Sequence, residues 1–150
     1  MKEQLSVKSI KISNEVLLGS VIEFIKSGKQ VKINVVGSSM QPFLFDGDTI
    51  ILRGIVFDSI RLGDILLGKY LGKYVLHRVV RIGEGCVYLA GDKNLIQIEM
   101  VKLEEIYAIA ATLLKDNRKI DLTNRIGRFK GLGWFYFRPI RRVFAYIFNK

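Results

Sequence analysis

DILLGKYLGKYVLHRVVRIGEGCVYLAGD, residues 64–92, is the stretch whose reading decides how this chain of 150 residues folds. It is rich in β-branched residues and broken by Gly or Gly-Asp at turn spacing. It therefore reads as three short strands, DILLGKY (64–70), KYVLHRVVRI (73–82) and CVYLAGD (86–92). Upstream, VKINVVG (31–37) and DTIILRG (48–54) have the same character. Downstream, EEIYAIAATLL (104–114) fits helix or strand by pattern alone. Strand is favoured, because Asp116-Asn117 is a good hairpin turn into Arg118 to Leu122 and two strands around it let a β-domain close.

The flanks read differently. Ser13-Asn14 precedes Val16, Leu17, Leu18, Val21, Ile22, Phe24 and Ile25, an apolar stripe at helical spacing. Asn14 can cap that helix and Gly28 can end it. Beyond Leu122, a basic stretch containing Gly127, Gly131 and Gly133 leads to a helix from about Pro139, since Pro tolerates a first helical turn. The expectation is a mainly β protein in one assembly. Residues 1–30 form an N-terminal helical segment, 31–122 a β-domain, and 123–150 a basic aromatic helical tail.

Composition bounds the chemistry. The chain is 49% hydrophobic with only 2 Pro, so it is not a disordered segment, and its length suits a single domain. Cys86 is the sole cysteine, which excludes a disulfide scaffold. With 1 His, no zinc site built on several His or Cys can form, and no other metal or cofactor is expected. Cys86 itself reads as a small buried residue. No run reaches the roughly 18 to 20 apolar residues of a membrane span, and MKEQLSVKSIKISNE lacks the apolar centre of a signal peptide. The expected location is the cytoplasm, at most peripherally on a membrane.

The charge is uneven. Of the net +10, the last 29 residues carry +7, from Arg125, Arg128, Lys130, Arg138, Arg141, Arg142 and Lys150, with no acid among them. The same stretch holds 8 of the 16 aromatic residues. Basic charge interleaved with rings suits an anionic membrane surface, through residues 125–150, or nucleic acid. The plainer expectation is a terminal helix that packs its rings on the core and leaves Arg and Lys solvated.

Three segments carry candidate chemistry. In VGSSMQPFLFDGD (36–48), a serine leaving a strand next to small residues can expose its hydroxyl beside backbone N–H groups. Ser38, Met40 and Pro42 would support that turn. In YVLHRVV (74–80), alternation puts His77 on the face shared with Val75 and Val79, either as a core residue or as a general base. Arg78 points to the opposite face, which favours a salt bridge. In LAGDKN (89–94), Asp92 can orient an imidazole or cap a turn. Asp48 and Asp64, each after a Gly where a strand begins, look structural.

Taken in order, Ser-Met-x-Pro-x-Leu-x-x-Gly-Asp, Gly-Asp-Ile before a strand, His-Arg-Val-Val and Gly-Asp-x-Asn resemble the signal-peptidase and LexA-like serine peptidase superfamily over roughly Val31 to Leu122. The resemblance implies a LexA/signal-peptidase-like β fold with Ser39, the serine before the Met, as nucleophile. Many members use a lysine base. His77 at the matching place is like the endoplasmic-reticulum branch, in which serine and histidine act with an aspartate. On that footing the chain is expected to be a serine endopeptidase of peptides or proteins, with a role in leader-peptide processing. Its catalytic residues would be Ser39, His77 and Asp92, with Glu99 the alternative third member. Signal peptidases often carry a serine two places before the nucleophile, and here Gly37 stands there, which implies a slower enzyme.

Two other readings compete. About 36 residues and one helix precede the site, too few for the helix-turn-helix and linker of a LexA-type regulator, and nucleic acid is accordingly disfavoured as a partner. A non-catalytic β-domain that binds peptides or membranes is the other, and replacing Ser39 separates it from an enzyme.

Overall fold

A computed structural model describes residues 10–11 and 15–149, and the Asn14 cap expected for the first helix lies outside them. Helix α1 (Glu15–Lys26) turns Leu18, Val21, Ile22 and Ile25 inward at helical spacing. It ends where Gly28 takes φ +84, a left-handed conformation that costs glycine little. The strands are β1 (Ile10–Lys11), β2 (Val31–Asn34), β3 (Thr49–Arg53), β4 (Ile65–Tyr70), β5 (Lys73–Ile82), β6 (Cys86–Ala90), β7 (Glu99–Lys102), β8 (Ile106–Lys115) and β9 (Arg118–Asp121).

They join one sheet in the order β1-β2-β3-β8-β4-β5-β6-β7, with β9 also on β8. Every pairing is antiparallel except β1 with β2. Strand β8 is the hub: β3 runs along one edge, while β4 and β9 share the other. The ambiguous segment 104–114 is thus strand from Ile106, after a 3-10 turn at Leu103–Glu105, and its hairpin turns at Asp116 and Asn117, both with positive φ as a two-residue hairpin turn requires.

Both faces of the central strands are covered, so β4 reads as a continuous apolar run rather than an alternating one. Ile65 and Leu67 join one core with Leu18, Val21, Ile33, Met40, Leu44, Ile50 and Ala108. Leu66 joins a second with Ile60, Val79, Val87, Leu89 and Val101. The site lies where the first core meets the C-terminal ends of β2 and β6 and the middle of β5.

The tail departs from expectation in two ways. It forms two helices, α2 (Arg125–Tyr136) and α3 (Arg138–Phe148), where one was expected from about Pro139. Asn124 caps α2 by accepting a hydrogen bond from the Gly127 N–H at 2.6 Å. The glycines of α2 give it close contact with the body: a Cβ on Gly131 would overlap the Arg78 guanidinium.

The second departure is an inversion of the tail's faces. Arg138 is buried, and Arg138, Arg141 and Arg142 donate to backbone carbonyls of residues 91–97, while Phe129, Phe137, Phe144 and Phe148 are exposed. Burial lowers the pKa of the Arg138 and Arg141 guanidiniums from their ordinary value. No described helix is long and apolar enough to cross a membrane.

Candidate active site

Ser39 owes its position to the chain leaving β2. The ladder to the following strand persists one residue past β2, with Val35 N–H donating to Asp48 O and Gly47 N–H to Val35 O, both at 2.8 Å. Gly37 then takes φ +86 and donates its N–H to Asp46 Oδ1 at 2.8 Å. The next residues coil, with Gln41 N–H on Ser38 O and Leu44 N–H on Met40 O. Met40 and Leu44 sink into the core, which leaves Ser39 exposed on the outer side of the turn. Pro42, expected to brace the turn, is exposed and follows a cis peptide bond. Asp48 and Asp64 serve their own turns by accepting the N–H groups of Phe45 and Arg61 at 2.8 Å.

His77 reaches the same place from β5. Its Nδ1 lies 2.6 Å from Glu99 Oε2, and the side chains are only 13% and 6% exposed. A carboxylate can only accept, so Nδ1 carries the hydrogen, and the neutral imidazole then has its free lone pair on Nε2. The other Glu99 oxygen accepts from Gln97 Nε2 at 3.2 Å, which fixes the carboxylate from its far side. Glu99 is placed by β7, whose register pairs it with Leu89 of β6.

Gly91 shows how close Ser39 and His77 stand. A Cβ built on it would lie 3.3 Å from His77 Nε2, 3.4 Å from Ser39 Cβ and 2.9 Å from Ser39 O. Nε2 and the Ser39 side chain therefore border one small space, which only a residue without a side chain leaves open. Ser39 Oγ makes no hydrogen bond to another described residue. Beside them lies a cleft of about 120 Å³, lined by Val35, Val36, Ser39, Met40 and residues 74–77.

Asp92 does not fill the role expected of it. Its carboxylate accepts two hydrogen bonds from Arg78, at 2.8 Å and 2.7 Å, in a buried pair. The physical reason is strand alternation: Arg78 and His77 project from opposite faces of β5, and Asp92 meets the Arg78 face. Burial raises the Asp92 carboxyl pKa, with the Arg78 guanidinium opposing the shift. Arg78 also donates to Gly63 O at 2.8 Å, so the salt bridge expected for it is a buried structural clamp. Cys86, expected to be buried, is only half-buried.

The loop between Asp92 and Glu99 holds contacts that sequence reasoning missed. Lys93 donates its N–H to Ser39 O at 2.9 Å and its Nζ to Ser38 Oγ at 3.3 Å, tying that loop to the serine turn. Strand β7, Glu99-Met100-Val101-Lys102, buries Glu99 and turns Met100 outward, so its pattern gave no sign of a carboxylate delivered to the site. Gln97 and Gly91 carried no sign in sequence beyond their neighbourhood. No group of His, Cys, Asp and Glu able to hold a metal ion occurs among the described residues.

The arrangement supplies a hydroxyl, an imidazole facing it and a carboxylate behind the imidazole, the combination that activates a serine for attack on a carbonyl. No protein-family model matches the chain, and no curated protein matches it.

Proposed function

We propose that this chain is a serine endopeptidase in which Ser39 is the nucleophile, His77 the general base and Glu99 the residue that orients His77. The observation that carries this reading is the His77 Nδ1–Glu99 Oε2 contact at 2.6 Å, with Nε2 and Ser39 bordering the space kept open by Gly91. The order of the serine, Gly-Asp, histidine and Gly-Asp-x-Asn segments supports a LexA/signal-peptidase-like β-domain and a role in leader-peptide processing.

The chemistry follows from the placement. Ser39 Oγ attacks the peptide carbonyl carbon as its proton passes to His77 Nε2, and Glu99 stabilises the imidazolium through Nδ1–H. The backbone N–H of Ser39, which has no acceptor among the described residues, is the donor available to the new oxyanion. Collapse breaks the C–N bond, and the leaving amine takes the proton from Nε2. Water then gives its proton to Nε2 and hydrolyses the acyl-enzyme, which returns the proton to Ser39. With Gly37 two places before the nucleophile, no side-chain hydroxyl is offered there, so a modest rate is expected. An extended substrate suits the cleft: among the described strands β6 pairs with β5 only from Arg78 onward, leaving one edge of Lys73–His77 uncovered.

The test is cleavage of a complex peptide mixture, read by mass spectrometry as new termini, with wild type and Ser39→Ala in parallel. Wild type should generate new termini, and Ser39→Ala should generate none while keeping the circular dichroism spectrum and melting temperature of wild type. The same termini from both proteins, or none from wild type, would overturn the reading.

A further inference from the structure

We infer that the outer face of the two C-terminal helices is an interfacial anchor that lies in an anionic lipid bilayer. An amphipathic helix at a protein surface ordinarily turns its apolar stripe to the core and its charges to water. Helix α3 does the reverse. Ile140, Val143, Phe144, Ile147 and Phe148, spaced i, i+3, i+4, i+7 and i+8, are between 46% and 76% exposed. Its opposite face carries the arginines, and these are occupied: Arg138 on Gly91 O and Gln97 O, Arg141 on Asp92 O, Arg142 on Leu95 O. Helix α2 continues the pattern, with Ile126 and Phe129 exposed while Gly131 and Trp134 pack inward on Arg78 and Asp92 O. The α3 stripe alone sets five exposed large apolar side chains on one helical face, more than singly scattered exposed residues.

Charge selects the occupant. Residues 122–150 hold seven basic residues and no acid, and Arg125 and Lys130 among them are exposed on α2, so a second copy of this chain would bring only like charge to meet them. An anionic bilayer instead offers hydrocarbon for the stripe and headgroups for exposed cations such as Arg125 and Lys130 at its margin. Nucleic acid fits less well, because the α3 guanidiniums that would meet phosphates already meet backbone carbonyls. Arg142 also grips Leu95 O of the loop leading to Glu99, so α3 would stand between that loop and the bilayer. The anchor does not depend on the peptidase reading.

The experiment is flotation of the full chain with vesicles of phosphatidylcholine, with and without phosphatidylglycerol. Wild type and Ser39→Ala should both float with the anionic vesicles, and the Val143→Ser, Phe144→Ser, Ile147→Ser triple variant should bind at least about tenfold more weakly. Circular dichroism checks that the triple variant is folded. If it is not, Phe148→Ser in the last turn is the readout, with a several-fold loss expected. Equal flotation of wild type and the stripe variant would overturn the inference, as would no flotation of wild type. A dimer that the stripe variant dissociates, or oligonucleotide binding, in the absence of vesicle binding would assign the face to another partner and overturn it equally.

Discussion

Glu99 and Asp92 are both buried carboxylates near His77, yet they face different partners, and the difference is testable. Glu99 accepts from an imidazole that the proposed reaction charges and discharges, whereas Asp92 neutralises a guanidinium with no place in the chemistry. Glu99→Gln keeps the size of the side chain but offers an amide to Nδ1, so it should slow cleavage by roughly 10²- to 10⁴-fold through loss of the correct tautomer. Its melting temperature should change little. Asp92→Asn leaves Arg78 charged and buried with half its partner gone, and should cost about 3–5 kcal/mol of stability by denaturant unfolding. The account fails at this scale if the two variants exchange phenotypes. The sequence favoured Asp92 with Glu99 as the alternative, both lying in or just beyond the Gly-Asp-x-Asn segment; the β5 alternation and the β7 register reverse that preference.

At the scale of elements, the strands were the most legible part of the chain. KYVLHRVVRI is β5 over the residues expected, Lys73–Ile82, because its period-two pattern and flanking glycines agree with its sheet environment. Helix α2 was not legible, since three glycines in twelve residues lower helix propensity. Tertiary packing overrides that cost: Gly131 lies against Arg78, and Arg128 lies against Gly63. Gly131→Ala would gain propensity, but its methyl would overlap the Arg78 guanidinium. The clash should dominate, lowering stability by about 1–3 kcal/mol in chemical denaturation. A variant as stable as wild type, or more so, would mean that α2 does not dock as closely as described.

For the whole molecule, the tail connects the features that the sequence showed separately. Its basic residues and rings were plain in composition, but which of them faced the body was not, since burying arginine beside exposed phenylalanine runs against ordinary partition. The carbonyls of 91–97 explain it: that loop turns several acceptors outward, and α3 supplies the donors. One side of this unit holds Asp92 and the loop leading to Glu99, and the other presents the apolar stripe. The serine and histidine segments were legible because each has a local signature, while Gly91 and Gln97 acquire meaning only when the turns come together.

The most direct measurement of the central claim is the rate at which a fluorophosphonate probe modifies the intact protein, with the modified residue mapped by mass spectrometry. The account predicts a single adduct on Ser39, formed at least about tenfold more slowly in His77→Ala, since the hydroxyl then lacks its general base. An adduct on Ser38, no adduct at all, or labelling of Ser39 at the same rate without His77 would contradict it.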